Sequence, residues 1–92
     1  DYIRIVVSMG TDGIAAGAHD VMMAFVEEVN DQNLFEHVLV RASGAIDAKA
    51  PAAVVYQDGK TPVTYEGLNA QAAKRIVAEH IVGGKPVTDF MK

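Results

Sequence analysis

The sequence contains no cysteine, and this absence sets the first limits on what the chain can do. Without thiols, disulfide bonds and thiolate metal sites are both excluded. Basic residues are also few, since eight Lys and Arg against twelve Asp and Glu give a net charge of -4. Nucleic-acid binding needs clustered basic side chains, and the one adjacent pair, Lys74 and Arg75, fits the solvated face of a helix. We therefore expect no nucleic-acid partner.

Long apolar runs are missing as well. No stretch approaches the roughly 20 residues of a membrane-spanning helix, so we expect no membrane insertion. No signal-peptide pattern opens the sequence, which makes a cytoplasmic location the default expectation, and the start at Asp1 rather than Met suggests trimming. Half of the 92 residues are apolar and 22% are charged. This composition predicts one globular domain over residues 1–92.

The first half of the chain predicts a strand, a helix and a second strand. Residues 2–8 alternate with β-branched side chains, which is typical of a buried strand. A helical stripe follows, and Thr11 or Asp12 is its predicted N-cap. The stripe consists of Ile14, Ala18, Val21, Met22, Phe25 and Val29. Residues 37–42 predict the second strand, and a strand–helix–strand unit predicts that the two strands are parallel.

A hairpin and a second helix complete the pattern. Two short strands flank Asp58 and Gly59, a strong hairpin signal. Asn69 is the predicted N-cap of a helix over residues 70–82, and Gly83 is predicted to close it in a left-handed conformation. The predicted buried positions are Ala73, Ile76, Val77 and His80 on this helix, and Val87 and Phe90 in the tail. The predicted fold is α/β, a small mixed sheet in the order β-α-β-β-β-α with helices packed on it.

The glycine-rich loop after the first strand has the position of a binding loop but not the sequence of a known one. The spacing of Gly10, Gly13 and Gly17 is not the dinucleotide-binding G-x-G-x-x-G, and no P-loop lysine follows. Helix amides can bind an anion, but Asp12 would place a negative charge at their mouth. An anion-binding module therefore stays an alternative without a motif of its own.

Other candidate residues lack the partners that catalysis or metal binding requires. His19, His37 and His80 have no ligand-spaced neighbours, so surface or core-edge positions are expected rather than a zinc site. Ser8 lacks a nearby His and a nucleophile-elbow motif. Lys49 lies in a small-residue loop that does not desolvate it. Composition and spacing alone thus indicate an α/β domain without an intact active site.

Three segments taken together resemble a known family. They read IRIVVSMGTDGIAAGAHDVMMAFVEEV, VRASGAIDAKAP and VTYEGLNAQAAKRIVAEHIVGGKPV. The sequence resembles the thioredoxin-like [2Fe-2S] ferredoxins, over nearly its whole length. These domains are small subunits or appended domains of NAD(P)-linked and electron-bifurcating hydrogenases, and they also occur in the flavoprotein module of respiratory complex I. The resemblance implies a thioredoxin-like fold.

The same resemblance implies where a cluster would be held. Its first two ligand positions fall on Ser8 and Gly13, with Asp12 as the alternative to Gly13, and the other two fall on Ala45 and Lys49. None is cysteine, whereas iron–sulfur clusters are held by thiolates, with histidine the main substitute. We therefore expect no cofactor in this chain, and flavin or iron–sulfur groups in partner subunits.

The expected function is a non-catalytic, cluster-free structural or assembly module. Its expected partner is a larger flavin- or NAD(P)-binding subunit, or a hydrogenase subunit, of an electron-transfer complex. Two alternatives stay open, a [2Fe-2S] ferredoxin with non-standard ligands and the small anion-binding module. Self-association as a homo-oligomer is also open.

Overall fold

A computed structural model describes residues 3–9, 17–44 and 48–92 of the chain. The elements are β1 (Ile3–Ser8), α1 (Ala18–Asp31), β2 (Val38–Ser43), β3 (Ala53–Gln57), β4 (Val63–Tyr65) and α2 (Ala70–Arg75). A π-helical segment, Ile76–Val82, continues α2, and a short 3-10 turn, Thr88–Phe90, lies near the C-terminal end. This succession confirms the predicted order β-α-β-β-β-α.

The four strands form one mixed sheet in the order β2-β1-β3-β4. β1 and β2 are parallel, so the prediction from the strand–helix–strand pattern is confirmed. β3 is antiparallel to both β1 and β4. The β3–β4 hairpin turns through residues 58–62, where Gly59 has a φ of 74° that favours glycine. The predicted hairpin is therefore also confirmed.

Both helices pack on one face of this sheet. Alternate residues of β1, Ile5 and Val7, are fully buried there, as is Phe25 of α1. The predicted stripe of α1 is buried from Ala18 to Val29, with Met22 half-buried at its border. Apolar residues alternate along β1 and recur at helical spacing along α1, so each element has one apolar face. Burial of apolar side chains is the dominant favourable term in folding, which explains why these two faces pack together.

The start of α1 corrects one prediction. The helix begins at Ala18, and Gly17 occupies its N-cap position with a φ of 94°. The left-handed conformation of Gly17 departs from the helical path, so the helix has to begin after it. Thr11 and Asp12 therefore do not cap α1. They lie outside the described residues, as does Ile14.

The second helix starts and ends where predicted, at Ala70 and Val82, but Gly83 does not have the predicted conformation. The Asn69 side chain accepts a hydrogen bond from the Ala72 N–H at 2.8 Å, which is the predicted N-cap. At the other end Gly83 is right-handed, with a φ of -82°, and the left-handed residue is Gly84, with a φ of 78°. Gly83 is needed for another reason: a Cβ there would lie 2.7 Å from the Glu79 carbonyl oxygen.

The tail returns to the edge of the sheet, as predicted. Val87 is buried and Phe90 is half-buried against the core. Met91 bridges Tyr65 in antiparallel fashion, and the Lys92 N–H donates to the Thr64 carbonyl at 2.9 Å. The tail therefore covers the outer edge of β4. Among the described helices, none combines the length and the apolar character that a membrane crossing requires.

Candidate functional site

The carboxyl ends of β1 and β2 lie side by side. Their parallel register places Ser8 opposite Ser43. The Met9 N–H donates to the Ser43 carbonyl at 2.8 Å, and the Ser8 N–H donates to the Ala52 carbonyl at 2.9 Å. The chain therefore leaves β1 and β2 at the same edge of the sheet, and the return from β2 to β3 passes Ser8. Loops that leave parallel strands at one edge are common places for binding sites.

Two of the five predicted ligand positions lie in the described part of the chain. Ser8 is 4% exposed at the end of β1. Lys49 is exposed, in the connection between β2 and β3. Asp12, Gly13 and Ala45 lie outside the described residues. Their assignment as former ligand positions stays a prediction from the resemblance.

The backbone of Lys49 is fixed by the connection between β4 and α2. Its N–H donates to Glu66 Oε1 at 3.1 Å, and its carbonyl accepts from the Gly67 N–H at 3.0 Å. The carbonyl of Pro51 likewise accepts from the Leu68 N–H at 2.9 Å. These bonds hold the end of the second loop against the rest of the domain without a metal ion.

The side chains available here do not fit an iron–sulfur cluster. The sequence has no cysteine, Ser8 offers one hydroxyl oxygen, and Lys49 offers a cation where iron needs a donor. Within residues 3–9, 17–44 and 48–92, no group of three His, Asp or Glu side chains is placed to hold a metal ion. The donor set therefore supports no cluster chemistry, and we derive none.

A shallow cleft separates the N-terminal ends of the two helices. Its volume is about 180 Å³. It is lined by Gly17, Asp20, Val21, Leu68, Asn69 and Ala70. Helix N-termini attract anions, but an acidic residue of the first turn, Asp20, lines this cleft, and the Asn69 side chain is already used as a cap. The cleft thus adds no support to the anion-binding alternative.

A buried hydrogen-bond chain joins β4, the π segment and the tail. The Val87 N–H donates to the Tyr65 hydroxyl oxygen at 3.0 Å. The Tyr65 hydroxyl lies 2.8 Å from His80 Nδ1, and both side chains are buried. Among the described residues, His80 Nδ1 is the one acceptor within hydrogen-bond distance of the Tyr65 hydroxyl, so the Tyr65 proton is directed there while its oxygen accepts from Val87. This assigns the His80 proton to Nε2.

The pKa shifts of the two side chains in this hydrogen-bond chain agree with a neutral His80. Burial lowers the pKa of His80, and the positive charge of Lys60 lowers it further. Burial also raises the pKa of Tyr65, against the opposing effect of the Val87 N–H. Both side chains are therefore uncharged at neutral pH, as the donor and acceptor roles require.

The three histidines occupy the surface and core-edge positions that the sequence predicts. His19 and His37 are exposed, and His80 is buried beside Tyr65, with the two rings edge to face. Lys74 and Arg75 are solvated, with surface ion pairs to Glu27 and to Glu79 and Asp89. His80, a polar residue at a predicted buried position of the second helix, was the one signal in the sequence of a buried hydrogen bond.

Comparison with solved structures defines the class of protein. A cysteine-to-serine variant of the thioredoxin-like [2Fe-2S] ferredoxin from Aquifex aeolicus matches with a TM-score of 0.86 and 26% identity, over 98% of this chain and 97% of that chain. The wild-type ferredoxin matches with a TM-score of 0.85 and 25% identity, over 99% and 96%. The chain thus has the fold of the thioredoxin-like ferredoxins, and the resemblance seen in the sequence is confirmed.

A second comparison, by sequence, finds a hydrogenase subunit among the relatives of this chain. The NADP-reducing hydrogenase subunit HndB of Solidesulfovibrio fructosivorans is 32% identical over 82 residues, which make up 88% of this chain and 65% of that subunit. The chain therefore spans just under two thirds of the length of this relative. No family model matches the sequence. The protein is a cysteine-free chain with a thioredoxin-like ferredoxin fold and sequence similarity to a hydrogenase subunit.

Proposed function

We propose that the chain is a cluster-free structural or assembly module of a hydrogenase-like or NADH-dehydrogenase-like electron-transfer complex. It would occupy the position of a [2Fe-2S] ferredoxin domain without conducting electrons. The observation on which this depends is the combination of a complete ferredoxin-type fold with a sequence that contains no cysteine. We propose further that residues 1–92 act as one domain in the cytoplasm, with flavin and iron–sulfur groups in the partner subunits.

Stability without a cluster is physically reasonable for this chain. A bound metal group would join the two loops and add binding free energy to folding. Here the ends of the loops are held by backbone bonds, from Met9 to Ser43, from Ser8 to Ala52 and from Gly67 to Lys49. Ile5 and Tyr65, two residues of the core, are fully buried. A domain of this kind can offer a defined surface to a partner although it has no redox centre.

The proposal is tested by identifying the chain's stoichiometric partners. The chain is tagged in its own cells, purified anaerobically, and resolved by size-exclusion chromatography and mass spectrometry, with the tag alone as control. We expect co-elution, in a fixed ratio, with a flavin-binding, NAD(P)-binding or hydrogenase subunit. A chain that elutes alone would overturn the proposal. If phosphate, nucleotide or flavin then raised its melting temperature, the anion-binding module would take its place.

A further inference from the structure

The sheet has a second face that is not covered by a helix of the described residues. Alternation assigns Ser8 and Ser43 to it, together with two longer cross-strand rows. The first row is Leu39, Arg4 and Tyr56, and the second is Arg41, Val6, Val54 and Thr64. We call these seven residues the open sheet face. None of them belongs to the core cluster formed by the helices with the opposite face.

The open sheet face combines packed apolar side chains with two exposed arginines. Val54 is 8% exposed and Val6 is half-buried, so the middle of the face is well packed. Leu39, on the edge strand β2, is 36% exposed. Arg4, on the inner strand β1, and Arg41, on the edge strand β2, are both exposed, and they are diagonal neighbours because Arg4 lies opposite Leu39. Enrichment in Arg and Tyr beside apolar side chains is a feature of protein–protein interfaces.

One of the arginines is already held in place. The guanidinium carbon of Arg4 lies 5.0 Å from the centre of the Tyr56 ring, directly across from it in the β1–β3 register. This cation–π contact restricts the long side chain before any partner arrives. Less side-chain entropy is therefore lost when Arg4 binds a partner group.

The charge of the open sheet face is opposite to that of the whole chain. The face contains two arginines and no acidic residue, whereas the chain has a net charge of -4. In the described part of the chain, neither Arg4 nor Arg41 forms an ion pair with a carboxylate. Two copies joined through this face would bring arginine against arginine, which disfavours self-association here. The complementary partner surface is acidic.

We propose that the open sheet face docks onto an acidic surface of the larger partner subunit, one that also contains an apolar patch. Carboxylates of that surface would accept the paired N–H groups of Arg4 and Arg41. Its apolar patch would cover Leu39, Val6 and the Tyr56 ring. This inference rests on the proposed function, because it assigns the face by which the module enters its complex.

The first test compares the reactivity of the three arginines in the free chain and in the purified complex. Arg4, Arg41 and Arg75 are all the arginines of the sequence. Each is labelled with phenylglyoxal and quantified by mass spectrometry. Assembly should reduce the labelling of Arg4 and Arg41 at least about fivefold, since the guanidinium groups become buried. Arg75, on the second helix, is the internal control and should keep its reactivity. Unchanged labelling of Arg4 and Arg41 in an intact complex would overturn the inference.

The second test reverses the charges of the face. The complex is purified and this chain is removed from it. The double variant Arg4→Glu with Arg41→Glu should then bind the remaining subunits at least about tenfold more weakly than the wild-type chain does. Lys74→Glu with Lys85→Glu changes the net charge equally on exposed positions outside the face, and should leave binding unchanged. Arg4→Gln with Arg41→Gln gives the same readout if the reversed variant does not fold. Equal loss from both pairs would contradict a role for this face.

Failure of the inference is distinguishable from failure of the proposed function. If no complex co-purifies with the wild-type chain, the proposed function fails. If the complex forms and the variants of the open sheet face bind it like wild type, only the docking face is wrong. A homodimer of the free chain that Arg4→Glu with Arg41→Glu dissociates would assign the face to a second copy, and would also overturn the inference.

Discussion

The hydrogen-bond chain from Val87 through Tyr65 to His80 makes a specific prediction about stability. Tyr65→Phe removes one oxygen and leaves the buried Val87 N–H and His80 Nδ1 without partners. A buried polar group that loses its partner costs about 1–3 kcal/mol. We therefore expect the free energy of unfolding to fall by about 2–4 kcal/mol. For a domain of this size, the melting temperature should fall by roughly 10–25 °C.

The assay is urea unfolding followed by circular dichroism, with Tyr56→Phe as the matched control. The Tyr56 hydroxyl has no hydrogen bond within the described part of the chain, so its removal should change stability by less than about 0.5 kcal/mol. A double-mutant cycle with His80→Leu should give a coupling of about 1–3 kcal/mol. Equal effects of Tyr65→Phe and Tyr56→Phe, or additive effects in the cycle, would refute the reasoning.

Three further predictions concern single elements of the fold. The pKa of His80 in the folded chain lies below its ordinary value of 6.5, so the unfolded chain takes up the proton first as the pH falls. The free energy of unfolding should therefore be highest above pH 6.5 and fall below it by up to about 1.4 kcal/mol per pH unit. Urea unfolding of His80→Gln should show a shallower dependence on pH. Gly84→Ala should lower the free energy of unfolding by about 1–2 kcal/mol, because Gly84 has a φ of 78°. Gly44→Ala should be nearly neutral by the same assay, because the added Cβ would lie in open space. Asn69→Ala should cost about 0.5–2 kcal/mol and Asn69→Asp much less, and thermal melts that do not separate the two would contradict the cap.

The elements that the sequence predicts well are those that local pattern determines. β1 alternates in hydrophobicity, and the buried face of the second helix repeats at helical spacing, so both follow from one stretch of chain. Asn69 was also predictable, because a cap acts on amides two or three residues away. The start of α1 and the conformation of the residue that closes the second helix were less predictable. Adjacent glycines at 83 and 84 are equivalent in the sequence, and only the backbone conformation shows which one is left-handed.

Features that depend on distant residues could not be predicted. Tyr65 is 15 residues from His80 and 22 from Val87, and no local pattern indicates that they meet. The parallel arrangement of β1 and β2 was predicted, but the pairing of Ser8 with Ser43 and the bonds that fix Lys49 were not. The ligand positions themselves came from the family resemblance, and for Asp12, Gly13 and Ala45 they stay predictions.

The central claim is that this chain has the ferredoxin fold but no cluster. The most direct measurement is the iron and acid-labile sulfide content of the chain, separated from its anaerobically purified complex and again after chemical reconstitution. The account predicts far less than one iron per chain and no paramagnetic resonance signal after reduction. About two irons and two sulfides per chain, with such a signal, would contradict it and establish a [2Fe-2S] ferredoxin with non-standard ligands.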